Sequence, residues 1–258
     1  GREPAHVVVS PDGQRVYVTN FGDNTVSVID AATLANVATV KVGKGPHGAR
    51  PSPDGQWVYV AQTGAGSMGI IDTTTNRLVA SVPVGTKPVQ VAPSVDGKFV
   101  YVSLAGDNAV AKVDVGSRSV VGRVAVGTGP IQLYASPDGT RVVVANQGTE
   151  EQPGRTVSLI DTASFTVTGS IETGSGPHGV VIDPTSRFAY VTNLYGDQLA
   201  VVDLTAGRVV ADVGTGRLPN GVSFGSREPA QVPSKTIALQ LPGAGDASEP
   251  SPPAEHGH

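Results

Sequence analysis

The chain has 258 residues, of which 33 are glycine, 20 are proline and none is cysteine. Without cysteine, this sequence can hold no disulfide framework, no thiolate metal site and no haem attached through cysteine. Lysine and arginine number 18 against 22 acidic residues, for a net charge of −4, and this balance argues against nucleic acid as the main partner because phosphate neutralisation needs clustered basic side chains. The sequence contains no apolar run of roughly 18 residues, so we expect no membrane span.

A repeated turn tetrapeptide organises the sequence. Ser-Pro-Asp-Gly, or a close variant of it, recurs at intervals of 42 residues, and a weaker fifth copy follows 47 residues after the fourth. An Asp-Gly pair between two apolar runs indicates a tight hairpin, because glycine supplies the positive φ that the turn requires. The five copies are Ser10–Gly13, Ser52–Gly55, Ser94–Gly97, Ser136–Gly139 and Asp183–Ser186.

The first repeat contains four short apolar runs that alternate with a period of two, which predicts four strands and no helix. Four strands in about 42 residues is the spacing of one β-propeller blade, an architecture in which radial repetition leaves only short, protected sheet edges. A tandem pair of β-sandwiches would not explain the constant period. The predicted strands of this repeat are His6–Ser10, Arg15–Thr19, Thr25–Asp30 and Val37–Val42.

The later repeats extend this pattern to a whole domain. We predict an all-β fold, a β-propeller of five complete four-stranded blades and a partial sixth, within one domain at 1–243. We expect one further strand at Thr236–Leu241 and a disordered tail at 244–258, which is rich in proline and serine. Two arrangements would close the ring, a six-bladed ring with an irregular last blade or a seven-bladed ring of which this sequence is a fragment. Because the sequence starts at a blade boundary, we favour the second, with blades missing upstream. The predicted blades are 4–43, 46–85, 88–127, 130–174, 177–214 and, in part, 219–242.

The sequence resembles the YVTN-repeat β-propellers. The resemblance rests on Tyr17-Val18-Thr19-Asn20 and Tyr190-Val191-Thr192-Asn193, with the Ser-Pro-Asp-Gly turns and Gly-Asp-Asn loops, and it covers about residues 4–225. These proteins are similar in turn to the haem-binding propeller of dissimilatory nitrite reductase and to lactonase-type propellers. The resemblance implies the propeller fold, but propellers host many unrelated sites. It also implies a periplasmic or extracellular location, with which the absence of cysteine agrees.

The loops that lead into the first strand of each blade carry the candidate site residues. In a propeller, this strand lines the central channel, and these loops share one face with the loops between the second and third strands. Three of the five histidines fall at this channel mouth, and histidine is the commonest metal ligand. The candidate ligand-binding residues at the mouth are His6, His47, His178, Asn220, Gln90 and Gln132.

Two interpretations of the mouth histidines remain open. The Pro-His-Gly sequences at His47 and His178 resemble the histidines that serve the haem of the nitrite reductase propeller, which makes these two residues candidate ligands of a haem or a metal ion. Alternatively, Pro-His-Gly is one variant of a turn, in which the imidazole bonds a neighbouring carbonyl. The sequence favours the second interpretation, because two histidines three blades apart lie nearly opposite each other and no further ligand has tetrahedral zinc spacing. The cofactor is therefore left undetermined.

An insertion and a periodic aspartate are two further features. The fourth repeat carries five extra residues within Gln147–Arg155, which include Glu150, Glu151 and Arg155, and insertions in repeats tend to map to binding faces. An aspartate ends the third strand of every blade, and we predict that it caps a turn, since a catalytic residue need occur only once. These aspartates are Asp30, Asp72, Asp114, Asp161 and Asp203.

The sequence thus favours a binding protein over an enzyme, because no pair of nucleophile and base is evident. We expect an exported, monomeric scaffold that presents its channel-mouth face to a small ligand or a protein partner. A haem- or metal-binding propeller resembling cytochrome d1 is the first alternative, and a lactonase-like hydrolase is the second. Single-stranded nucleic acid is disfavoured, because 5% aromatic residues and an acidic balance supply neither stacking platforms nor a basic groove.

Overall fold

Twenty short strands and one turn of 3₁₀ helix, Thr63–Ala65, make up residues 1–225, the part of the chain that the computed structural model describes. Within these residues, no helix is long and apolar enough to cross a membrane. The predicted all-β fold is confirmed. The predicted strand Thr236–Leu241, the end of the partial blade and the tail 244–258 lie outside the described residues.

The strands form five antiparallel sheets of four, each built from strands that are consecutive in the chain. Blade 1 contains β1 (Pro4–Val9), β2 (Arg15–Asn20), β3 (Thr25–Asp30) and β4 (Asn36–Lys41). Blade 2 contains β5 (Pro46–Pro51), β6 (Trp57–Gln62), β7 (Ser67–Asp72) and β8 (Arg77–Pro83). Blade 3 contains β9 (Pro88–Pro93), β10 (Phe99–Leu104), β11 (Ala109–Asp114) and β12 (Ser119–Ala125).

The last two blades follow the same plan. Blade 4 contains β13 (Pro130–Ala135), β14 (Arg141–Gly148), β15 (Pro153–Asp161) and β16 (Thr166–Glu172). Blade 5 contains β17 (Pro177–Ile182), β18 (Phe188–Asn193), β19 (Gln198–Asp203) and β20 (Arg208–Gly214). Strands β14 and β15 are longer than their counterparts because the insertion of the fourth repeat extends their hairpin.

The Ser-Pro-Asp-Gly turns form the hairpins between the first two strands of a blade. In blade 1, Gly13 adopts a φ of 73°, and the Ser10 hydroxyl accepts a hydrogen bond from the Arg15 backbone N–H while it donates to the Asp12 carboxylate. In the weaker fifth copy, Asp183 takes the place of the serine and accepts from the backbone N–H groups of Arg187 and Phe188. The turn therefore survives the change of sequence because the acceptor is retained.

The periodic aspartates cap the turns between the third and fourth strands, as predicted. Asp30 accepts hydrogen bonds from the backbone N–H groups of Ala32 and Thr33, and Asp203 does the same for the two residues that hold the equivalent places in blade 5. Backbone amides that would otherwise lack a partner thus find a local acceptor.

Neighbouring blades pack face to face through apolar side chains. Four buried clusters lie between successive pairs of blades. Tyr59, Met68 and Ile70 of blade 2, for example, pack with Val100 and Val102 of blade 3. Alternation places one face of each sheet against the preceding blade and the other against the following one, so both faces are apolar.

Hydroxyl groups also join the innermost strands of neighbouring blades. Thr19 accepts a hydrogen bond from the His6 N–H of its own blade and donates to the His47 carbonyl of the next one, at an O···O distance of 2.7 Å. Ser103 accepts from the Gln90 N–H and donates to the Ile131 carbonyl, at 2.6 Å. Because adjacent innermost strands share no β-ladder, these side chains satisfy backbone groups that would otherwise be unpaired.

None of the five sheets covers one face of blade 1. Val7 and Val9 are 61% and 53% exposed, whereas Ala49 and Val91, which hold the same place as Val7 in the next two blades, are fully buried. The segment 220–224 lies near this face, because Val222 and Phe224 line one cavity together with Val7 and Val9. This segment occupies the inner position of the partial sixth blade.

Replacing Ser103 by alanine tests the bridge between blades 3 and 4. Ser103→Ala leaves the buried Gln90 N–H and the Ile131 carbonyl without this partner, so we expect the free energy of unfolding to fall by about 1–3 kcal/mol. Urea denaturation measures the change, and Ser170→Ala, at an exposed position of β16, is the matched control. Equal stability of the two variants would contradict a role for the hydroxyl bridge.

Candidate binding site at the channel mouth

The innermost strands bring three of the six predicted mouth residues together in one cavity, whereas His47, His178 and Gln90 do not line it. His6 of β1, Gln132 of β13 and Asn220 of the last segment line one cavity of about 410 Å³. These residues are far apart in the chain but hold neighbouring places in the repeat, the first or second after the proline. The structure therefore assembles a mouth from different blades.

His47 and His178 make the same contact in two different blades. His47 donates from Nδ1 to the Val89 carbonyl at 3.1 Å, and His178 donates from Nδ1 to the Asn220 carbonyl at 2.6 Å. In both cases the acceptor lies 42 residues further along the chain, at the equivalent place of the next repeat. Each imidazole thus joins one blade to the next, which is the carbonyl contact that the favoured interpretation predicted.

His6 makes a different contact, with Gln90 of blade 3. The Gln90 Oε1 accepts from the Val91 N–H, so its Nε2 donates to the His6 Nε2 at 3.2 Å. The imidazole must therefore carry its proton on Nδ1, and that buried atom has no partner among the described residues. Gln90 itself is 2% exposed, so this pair crosses the inside of the channel rather than its rim.

The surroundings of the three histidines favour the neutral imidazole. Burial, together with the smaller effects of the nearby Arg50 and His47, lowers the pKa of His6 to about 4. Burial also lowers the pKa values of His47 and His178, although the bonds to the carbonyls oppose this change. At pH 7 the three imidazoles are therefore uncharged and can both donate and accept hydrogen bonds. Among the described residues that line the mouth cavity, Arg50 supplies the one charge.

The arrangement bears on metal ligation in two ways. A metal-bound histidine usually donates its other ring N–H to a carbonyl or a carboxylate, and His47 and His178 have this arrangement, with Nε2 left for a ligand. However, residues 1–225 contain no group of three or more histidine, aspartate or glutamate side chains that could hold a metal ion.

The insertion of the fourth repeat lies outside the cavity. Glu150 and Glu151 are exposed at the tip of the β14–β15 hairpin, and Arg155 pairs with Glu172 on the adjacent strand at 2.8 Å. Hydrogen bonds from Gln147 and Gly148 to the loop at 128–129 place this hairpin on the same face as the mouth. These three residues remain predictions for a partner surface and do not line the cavity.

Two residues that the sequence analysis missed lie deeper in the channel. Arg50 lines the mouth cavity and two others, and Tyr134 lines two of these three. Both are the fourth residue after the proline of their repeat, where the other blades have Val8, Ala92 and Val181. Comparing this place across the repeats would have singled out Arg50, because it is the only charged residue there.

Comparisons with known proteins support the fold. The family model described as "YNCE-like beta-propeller" matches residues 79–229. A structure of hydrazine synthase from Kuenenia stuttgartiensis is similar to this chain with a TM-score of 0.66 and 21% identity over 84% of this chain and 88% of that one. A functionally unknown protein from Desulfotomaculum acetoxidans has a TM-score of 0.74 and 18% identity over 84% of this chain and 71% of that one. No curated protein matches the sequence.

The lowered pKa of His6 predicts that acid destabilises the fold. The unfolded chain takes up a proton at this residue near pH 6.5, whereas the folded protein does so only near pH 4. The stability that comes from the neutral imidazole is therefore complete above pH 6.5 and is lost as the pH falls from 6.5 towards 4.

Urea denaturation at pH 7 and at pH 4.5 measures this effect. For His6 alone, we expect a loss of about 2 kcal/mol in the free energy of unfolding between these two pH values. His6→Asn removes the titrating group and should reduce the loss by that amount, whatever its stability at pH 7. The same pH dependence in both proteins would contradict the burial of a neutral His6.

Proposed function

The chain belongs to the YNCE-like β-propeller family, and from that premise we propose that it is a non-catalytic scaffold whose channel-mouth face binds a small polar ligand or a side chain of a partner protein. One observation carries the proposal. A single cavity of about 410 Å³ is lined by His6 of blade 1, Gln132 of blade 4 and Asn220 of the segment after blade 5. This volume is within the usual range of ligand pockets.

The chemistry of the mouth suits binding. Amide and neutral imidazole side chains both donate and accept hydrogen bonds, so together they can match an uncharged polar group such as an amide, an alcohol or a sugar hydroxyl. The hydroxyls of Thr19 and Ser103, by contrast, are engaged in the bridges between blades. The described residues thus favour recognition over nucleophilic catalysis.

The proposal includes two properties of the whole protein. We propose that it is exported to the periplasm or the extracellular space and that it acts as a monomer. The absence of cysteine is compatible with an oxidising compartment, where a free thiol would be reactive. Fractionation of the natural host and sedimentation equilibrium are the direct measurements.

A haem- or metal-binding propeller is the second candidate. The bonds from Nδ1 of His47 and His178 to carbonyls favour it, because they fix the two rings and leave both Nε2 atoms as ligands. Two opposed imidazoles would suit a large planar cofactor better than a single small ion, since a tetrahedral zinc site needs further protein ligands.

Removal of the mouth amides tests the first proposal. A ligand-observed NMR screen of small amides, alcohols and sugars should yield fragments that bind the wild-type protein and bind Gln132→Ala/Asn220→Ala about thirtyfold more weakly, because each of the two lost hydrogen bonds costs about 1 kcal/mol. Val95→Ala, at the opposite end of the channel, is the control and should bind as the wild type does. Equal binding by both variants would contradict the proposal, as would ring opening of a simple lactone by the wild-type protein in a separate assay.

Asparagine substitutions test the second candidate without breaking the contacts between blades. The Nδ2 of asparagine is placed like Nδ1 of histidine, so His47→Asn/His178→Asn can still donate to the carbonyls but lacks both Nε2 atoms. If these atoms are ligands, titration with haem or Zn²⁺ should show stoichiometric binding to the wild-type protein and none to the variant. Equal, negligible binding by both folded proteins would overturn the metal and haem hypotheses.

A further inference from the structure

The channel has a second cavity at the end away from the histidines. It measures about 470 Å³ and is open to the face that carries the Ser-Pro-Asp-Gly hairpins. Its wall is mainly apolar, because blades 1–4 contribute mostly proline, alanine and valine side chains to it. The apolar wall consists of Pro11, Pro51, Pro53, Ala92, Pro93, Val95, Ala135 and Pro137.

Arg50 supplies the one charge at the inner end of this cavity. Among residues 1–225, no other lysine, arginine, aspartate or glutamate lines this cavity or the two cavities that also contact Arg50. Residues 1–225 form six ion pairs, and Arg50 takes part in none of them. The side chain is partly buried in β5, so its charge is removed from bulk water without a carboxylate nearby.

An unpaired guanidinium in this position favours an anion. Burial lowers the pKa of Arg50, and the nearby Tyr134 phenol opposes this change, but an arginine keeps its charge at neutral pH. Partial burial of that charge costs free energy, which a bound anion would offset. A single guanidinium matches one carboxylate in bidentate geometry, and the Tyr134 side chain in the same cavity offers a phenol as a further donor.

We propose that the hairpin-end cavity binds a small organic carboxylate with an apolar body, whose carboxylate pairs with Arg50 and whose body packs against the prolines and Val95. A free acid with an alkyl or aryl body fits this combination. A phosphate dianion would need a second cation, and a neutral apolar molecule would leave Arg50 unpaired. This site opens on the face opposite to the mouth, and among the described residues Arg50 is the one that lines both cavities. The tests remain separable, because Gln132 and Asn220 line only the mouth cavity and Val95 does not line it.

Isothermal titration of the full chain with 4-phenylbutyrate tests the proposal. The acid should bind saturably, its primary amide should bind about tenfold more weakly or worse, and acetate should bind more weakly than the acid because it lacks the apolar body. No saturable binding of the acid up to about 10 mM, a concentration that corresponds to an affinity too weak for a built site, would overturn the proposal. Equal binding of acid and amide would overturn it as well.

Four variants locate the site. Arg50→Gln should weaken binding of the acid about tenfold or more, whereas Arg208→Gln, which removes the same charge from an exposed place at the start of β20, should leave it unchanged. Val95→Trp should block the cavity without removing a charge. His47→Asn should have no effect, and a loss of binding there would overturn the assignment to the hairpin end. If Arg50→Gln fails to fold, the comparison of acid and amide on the wild-type protein still decides the question.

Discussion

The contact between innermost strands is the constraint on which the rest of this structure depends. Each blade is a complete four-stranded sheet, so its innermost strand has no ladder partner in the next blade, and its backbone groups need side-chain partners. Thr19 and Ser103 supply hydroxyls for this purpose, and His47 and His178 supply ring N–H groups. Channel-lining side chains therefore serve the architecture before they serve any ligand.

Because of this constraint, the contacts of His47 and His178 are compatible with two roles, a structural one and one in metal binding. A ring N–H bonded to a carbonyl holds the blades together, and the same bond would orient a metal ligand. The two roles differ only in whether Nε2 has a partner. For His6 the geometry differs, since the Gln90 amide occupies its Nε2 and thereby stabilises the neutral ring. Burial and the nearby Arg50 act in the same direction on the pKa of His6.

Polarity changes along the channel from one end to the other. The mouth carries neutral amides and imidazoles, the middle carries the Arg50 charge, and the hairpin end is lined by prolines, alanines and a valine. Each of these three levels of the channel is lined by its own positions in the repeat. A substitution in one blade can therefore change the side chains at one level and leave the other two levels unchanged. A propeller can in this way acquire two different sites in one channel.

The fold was largely predictable because its signals are local. The alternation of apolar residues, the Asp-Gly turns and the capping aspartates each act within a few residues, and the four predicted strands of the first repeat agree with the structure to within about one residue at most ends. The mouth was predicted in part, since the place after each proline identified the histidines. Arg50 was not predicted because it lies beyond the first two residues after the proline, although its charge interrupts an apolar place in the repeat.

The sequence by itself determined the all-β class, the blade period, the turn chemistry and the face on which the histidines lie, because each of these follows from periodicity and from residues in contact along the chain. The tertiary structure alone decided which side chains of different blades meet. The hydrogen bond between His6 and Gln90 joins residues that are 84 positions apart in the chain. Val7 is exposed because none of the five sheets covers its face of blade 1. Desolvation and pairing of charges depend on neighbours in space, and that is why the lowered pKa of His6 and the unpaired charge of Arg50 emerge only once the blades are assembled.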